Sequence, residues 1–169
     1  MAVVAIGSLM TVVALPIIST TMSNVHLSAA ASSLSGAAQS SRYQAISSGC
    51  GILLTVSAQS YQLTSAAGNP PACSAFTPLP TSLIPYTSTE ISLTAVSVNG
   101  GAAVAINTSN PTAAFQLNPS GMVTATSTTV PPTNYTFILS QSKGAATKQV
   151  NVSGMGYVTV HSCPTNSVC

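Results

Sequence analysis

The chain is 169 residues long, the size of one domain with a sizeable core, and 46% of it is hydrophobic. Only Arg42, Glu90, Lys143 and Lys148 are charged, 2% of the sequence, against roughly 25% in ordinary soluble domains. That balance excludes an intrinsically disordered chain, which combines low hydrophobicity with high charge. A surface wetted by Ser, Thr, Asn and Gln offers little charge repulsion against its own copies, and suits an assembled or glycan-coated extracellular protein.

Residues 1–48 read as one long helix with two unlike halves. Residues 1–18 (MAVVAIGSLMTVVALPII) are apolar all round, with Val3, Val4, Ile6, Leu9, Val12, Val13 and Leu15 as their bulk. As a helix they would span about 27 Å, close to the hydrocarbon thickness of a bilayer. The run lacks the basic start of a cleaved secretory signal. Pro16 sits inside the pattern, where it removes a helical hydrogen bond and permits a kink or local melting. From residue 19 the helix turns small and polar, with Leu27, Ala31, Leu34, Ala38 and Ala45 recurring on one face. Such a segment suits a membrane or a packed helical bundle first and a globular domain second.

Residues 49–169 change period. Gly49-Cys50-Gly51 breaks the helix, and residues 52–56 and 61–64 alternate around a short polar turn as a hairpin does. A proline-dense loop carries Pro70, Pro71, Pro78, Pro80 and Pro85, too many for a central strand. Further strands are expected over 90–98, 103–107, 114–117, 122–126, 135–140, 147–152 and 157–161. Asn99-Gly100-Gly101, Asn118-Pro119-Ser120-Gly121, Lys143-Gly144 and Ser153-Gly154 mark the turns between them. The expected fold class is therefore α+β: a long N-terminal helix, 1–48, and an antiparallel β-rich globular domain, 49–169.

Catalytic constellations are missing. The chain has no aspartate and a single glutamate, so neither a Ser-His-Asp triad nor a carboxylate pair can be built. His26 and His161 read as surface or packing residues, with Glu90 solvated at a strand start. Gly100-Gly101 lies in a hairpin turn without phosphate-loop context. Lys143 and Lys148 flank one hairpin and Arg42 is distant in sequence, so no cluster suited to phosphates emerges and nucleic acid is not an expected partner. No enzyme activity, cofactor or metal is expected. Cys50, Cys73, Cys163 and Cys169 read as two disulfides in an exported protein, with three connectivities open and sequence proximity favouring Cys50–Cys73 and Cys163–Cys169. A metal site at His161 and Cys163 lacks the usual ligand spacing. Three Asn-Xaa-Ser/Thr sequons, at Asn107, Asn134 and Asn151, are candidate glycosylation sites.

Several segments carry a family likeness. The apolar run ending in Ala14-Leu15-Pro16 resembles the interior of the type IV pilin N-terminal helix. Residues 27–46 (LSAAASSLSGAAQSSRYQAI), with Arg42 and then Ala45, resemble the small-residue helix of the GspH/FimT family of pilin-like proteins. Phe115-Gln116-Leu117-Asn118-Pro119-Ser120-Gly121 is similar to that family's turn, and residues 135–163 to its closing strands. One departure stands out: where the family's closing turn usually carries arginine after glycine, Tyr157 follows Gly156. Aligning Pro16 with the family proline places the leader-peptidase site and the assembly glutamate ahead of Met1.

The resemblance implies a pilin fold and a structural subunit of a type IV pilus-like extracellular filament. That subunit would polymerise through its N-terminal helix, with residues 1–18 deepest and Val3, Val4, Ile6, Leu9, Val12, Val13, Leu15, Pro16, Leu27, Ala31 and Leu34 in the filament core. Its partners would be copies of itself, other pilins or pseudopilins and inner-membrane assembly machinery. It would rest in the cytoplasmic membrane before assembly. A minor pseudopilin of a type II secretion or pilus-tip complex is the second reading. A non-polymerising membrane-anchored adhesion domain and a DNA-uptake pilin are the others.

Overall fold

The computed structural model describes residues 2–65, 79–87, 90–98, 106, 112–124, 134–142 and 146–164, with residues 2–20, 94–98, 112 and 164 in backbone only. One helix, α1 (Ala2–Ser48), opens the chain, about 70 Å long at 1.5 Å per residue. It runs unbroken through Pro16. It ends where Gly49 takes the left-handed φ of 64°. There Gly49 N donates to Ile46 O and Cys50 N to Ala45 O, the paired bonds of a Schellman cap, which explains the glycine.

Among the described residues nine strands follow: β1 (Ile52–Ser57), β2 (Ser60–Ser65), β3 (Ser82–Leu83), β4 (Ile91–Val98), β5 (Thr112–Leu117), β6 (Val123–Thr124), β7 (Asn134–Gln141), β8 (Ala146–Ser153) and β9 (Val158–Pro164). They form two antiparallel sheets, ordered β3-β2-β1-β5-β6 and β4-β7-β8-β9. The expected strands at 90–98, 114–117, 135–140, 147–152 and 157–161 are each present within a few residues. The expected strand over 103–107 falls almost wholly outside the described residues. The pair Ser82–Leu83 was not expected: it lies in the proline-dense loop and pairs Tyr61 with Ser82 at the edge of the first sheet, where prolines are tolerated.

The core is a sandwich of α1 and both sheets. In β1, Ile52, Leu54 and Val56 point inward in strict alternation, and Leu54 lies opposite Phe115. Phe115 then bridges the sheets: its ring lies 5.0 Å from that of Tyr135 and 6.0 Å from that of Phe137, both on β7. From the helix, Leu27, Ala30, Ala31, Leu34, Ala37, Ala38 and Ala45 enter the same core. Alanine at five of those positions lets the backbone of α1 approach the strands closely, and Ser41 is tolerated there because its hydroxyl donates to Ala38 O at 2.7 Å. Cys50 and Cys163 are disulfide-bonded. Cys73 and Cys169, which the expected pairings require, lie outside the described residues.

Candidate assembly helix and its two clasps

The inner and outer faces of α1 have different work. Leu27, Ala31 and Leu34, expected in a filament core, are at most 1% exposed within the single chain. They are packed beneath the chain's own sheets, so the face that this half of α1 leaves exposed is the opposite one. That outer face carries Met22, Val25, Ser32, Gly36, Ser40 and Tyr43, all exposed. Beside it runs a cleft of about 250 Å³, with Ser32, Gly36 and Ser40 on the helix side and Tyr61 and Pro80 on the sheet side. A Cβ built on Gly36 meets nothing within 4 Å. Val3, Val4, Ile6, Leu9, Val12, Val13, Leu15 and Pro16 all belong to α1, and their side chains lie outside the described residues. Among the described residues no helix is long and apolar enough to cross a membrane.

One clasp holds α1 near residue 26. The His26 ring stacks on Tyr86, centroids 3.8 Å apart and planes 11° from parallel. His26 Nδ1 lies 2.5 Å from Glu90 Oε2, and since a carboxylate only accepts, the nitrogen donates. Glu90, expected to stay solvated, is thus bound to the helix. The cause is local: Tyr86 adopts a left-handed φ of 64°, and its carbonyl accepts from both Glu90 N and Ile91 N. That tight turn brings residue 90 back over α1. Two residues earlier on α1, Gln141 Nε2 donates to Asn24 Oδ1 at 3.1 Å. His161, by contrast, is exposed on β9, and no group of three or more metal-ligating side chains occurs among the described residues.

The second clasp lies at the other end of the packed helix, about 24 Å along its axis from His26. Two turns converge on Arg42. In the first, Asn118 Oδ1 accepts from Ser120 N, Ser120 Oγ and Met122 N, an Asx arrangement that sets Gly121 at a φ of 77°. In the second, Tyr157 N donates to Ser153 Oγ and Gly156 N to Ser153 O, with Gly156 at a φ of 75°. Val123 N donates to Gly154 O at 2.9 Å and joins the two sheets here. A Cβ on Gly121 would sit 2.9 Å from Ile46 Cδ1 and 3.2 Å from Arg42 Cγ, and one on Gly156 would collide with Gly121 O. The missing side chains are what let the turns close over the arginine. Tyr157 completes the cover, with Arg42 Cζ 4.7 Å from its ring centroid. Arg42 Nε is buried without a hydrogen-bond partner.

The sequons differ in setting. Asn134 is exposed at the start of β7. Asn151 is partly buried, its Oδ1 accepting from Thr136 Oγ1 at 2.7 Å. Asn107 lies outside the described residues.

Arg42, Gly121 and Gly156 all fall inside the stretch that a family comparison matches. Residues 30–156 match the family of the type II transport protein GspH. The chain belongs to that family. Among solved structures, two crystal forms of the type IV minor pilin FimU of Pseudomonas aeruginosa strain PAO1 are similar. In space group P21 the identity is 17%, covering 82% of this chain and 90% of that one, with a TM-score of 0.52. In P65 it is 18%, covering 80% and 92%, with a TM-score of 0.49. No curated protein sequence matches. The P21 likeness establishes the pilin fold, one long N-terminal helix followed by antiparallel sheets. In this GspH-family chain Tyr157, directly after Gly156, covers the guanidinium that Arg42 extends from α1.

Sequence reasoning missed both clasps as contacts. His26 and Glu90 stand 64 residues apart, and no spacing rule joins them. The one available signal was arithmetic: a lone carboxylate in a nearly chargeless chain has few partners to choose from.

Proposed function

We propose that the chain is a structural subunit of a type IV pilus-like extracellular filament that polymerises through its N-terminal helix. The observation that carries the reading is the mismatch between α1 and its own domain. Among the residues with described side chains, burial of α1 begins at Leu27, while the sequence before residue 19 is apolar on every face. A helix greasy all round requires burial. At roughly 25 cal/mol per Å² of apolar surface, that requirement outweighs anything four charges contribute. The bilayer of the cytoplasmic membrane would satisfy it before assembly and neighbouring helices afterwards. The chain's partners are then copies of itself, other pilins or pseudopilins and the inner-membrane assembly machinery. Membership of the GspH family favours a second reading, a minor pseudopilin of a secretion or pilus-tip complex.

Arginine at Ser32 or Gly36 tests the proposal, because both positions are exposed and Gly36 has open space around it. Filaments counted by electron microscopy should disappear while the thermal unfolding midpoint of neither variant falls. Normal filaments from both variants would overturn polymerisation through α1. Immunogold labelling separates the two readings, along the whole fibre for a main subunit and at one end for a tip subunit.

A further inference from the structure

The Arg42 clasp is also the centre of an exposed apolar patch. Tyr43 and Ile46 flank the arginine on α1, Met122 follows Gly121, and Met155 and Tyr157 flank Gly156, all five of them exposed. The turns that carry them are locked together by the close approaches at Gly121 and Gly156, so the patch is preformed. Of the eleven large apolar side chains exposed among the described residues, these five gather about one spot, and such a gathering marks an interaction surface. Tyrosine and arginine are also the residue types that dominate binding energy at interfaces.

The charge pattern says what fits there. No carboxylate among the described residues reaches Arg42. The only acidic side chain of the whole sequence is Glu90, bound to His26 at the far end of the packed helix. The tyrosine ring and two turn backbones already exclude water from part of the guanidinium, with Nε buried, and a covered cation attracts an anion more strongly than a hydrated one. A second copy could satisfy it with a side chain only by giving up its own His26–Glu90 contact. A nucleic acid needs several cations in register, whereas Lys148 lies opposite Leu139 in the middle of the β7–β8 pair, far along β8 from the turn. We propose that this patch docks an acidic, apolar segment of a different protein, whose carboxylate seats on Arg42 and whose apolar side chains pack on Tyr157, Met155 and Ile46. The proposal does not depend on whether the chain polymerises.

The full-length protein in nonionic detergent, titrated against two labelled peptides, provides the test. One is a blocked Leu/Ala peptide with two glutamates, the other the same peptide with glutamines. Fluorescence anisotropy should give at least about tenfold tighter binding of the acidic peptide, weakening as salt is raised. Arg42→Gln should erase that difference, Arg42→Lys should retain much of it, and Tyr157→Ala should weaken both peptides. Equal binding of the two peptides by the wild-type chain, or a preference that survives Arg42→Gln, would overturn the proposal. So would sedimentation showing a wild-type oligomer that Arg42→Gln dissolves, since the patch would then belong to a second copy.

Discussion

Gly156 faces Gly121 so closely that a methyl group on the first would collide with the carbonyl oxygen of the second. These two residues come from different loops, and both hold left-handed backbones, at 75° and 77°. The contact closes the two sheets over Arg42.

The two glycines should not respond alike to alanine. Gly156→Ala meets backbone, which cannot step aside, and adds left-handed strain of about 1–2 kcal/mol. Gly121→Ala carries the same strain but meets the tip of Ile46 and the stem of Arg42, which are flexible. Urea unfolding should show Gly156→Ala losing the larger share, by roughly 2–4 kcal/mol in total. Equal losses would mean that the two loops are not in contact.

At the other clasp, the His26–Glu90 hydrogen bond should matter less than the ring stack. The His26–Glu90 contact is partly exposed, with side chains 22% and 45% accessible, and exposed pairs contribute about 0.2–1 kcal/mol. Glu90→Gln keeps an acceptor for His26 and should cost no more than that. His26→Ala also removes the stack on Tyr86, a further ~0.5–1.5 kcal/mol. A double-mutant cycle measured by thermal unfolding checks the order; a costlier Glu90→Gln would contradict it.

Much of this fold was legible because it depends on period. Leu27, Ala31, Leu34 and Ala45 recur at helical spacing and all four are buried; Ile52, Leu54 and Val56 alternate and all three face inward. Periodicity shows which face is apolar but not what covers it. Hence Leu27, Ala31 and Leu34 read equally well as contacts between subunits, although the chain's own sheets bury them. The clasps were illegible for a different reason. Tyr86 holds a left-handed backbone that sequence reserves for glycine and asparagine, and Tyr157 covers Arg42 through a turn whose closure needs two glycines from separate loops. Those are properties of tertiary approach, which no local pattern encodes.

Alkaline pH should destabilise the fold through Tyr135. Burial pushes its phenol above the ordinary value of 10.0, because the charged form is disfavoured beside Phe115. Above about pH 10 the folded chain therefore holds a proton that the unfolded chain has released, and stability falls as pH rises. Below that the contribution is intact. Tyr135→Phe should flatten the decline in urea midpoint between about pH 9 and 11, and an unchanged or steeper decline would assign the effect to other groups.

The division of α1 into an inner and an outer face can be read from stability alone, without filaments. Leu34 is fully buried among the core residues, so Leu34→Ala should leave a cavity and cost about 2–5 kcal/mol. Gly36 lies two positions on, exposed and with open space where a Cβ would go. A glycine inside a helix is roughly 1 kcal/mol worse than alanine, so Gly36→Ala should raise the urea midpoint. A residue that weakens its own helix in this way, and whose absent side chain would meet nothing among the described residues, is best explained by something that must come close to it from outside. If Gly36→Ala stabilises the isolated chain and yet lowers filament yield, the smoothness of the outer face serves packing between subunits. A Gly36→Ala variant that is destabilised would place the inner face where the outer one is drawn here, and a Leu34→Ala variant of wild-type stability would do the same.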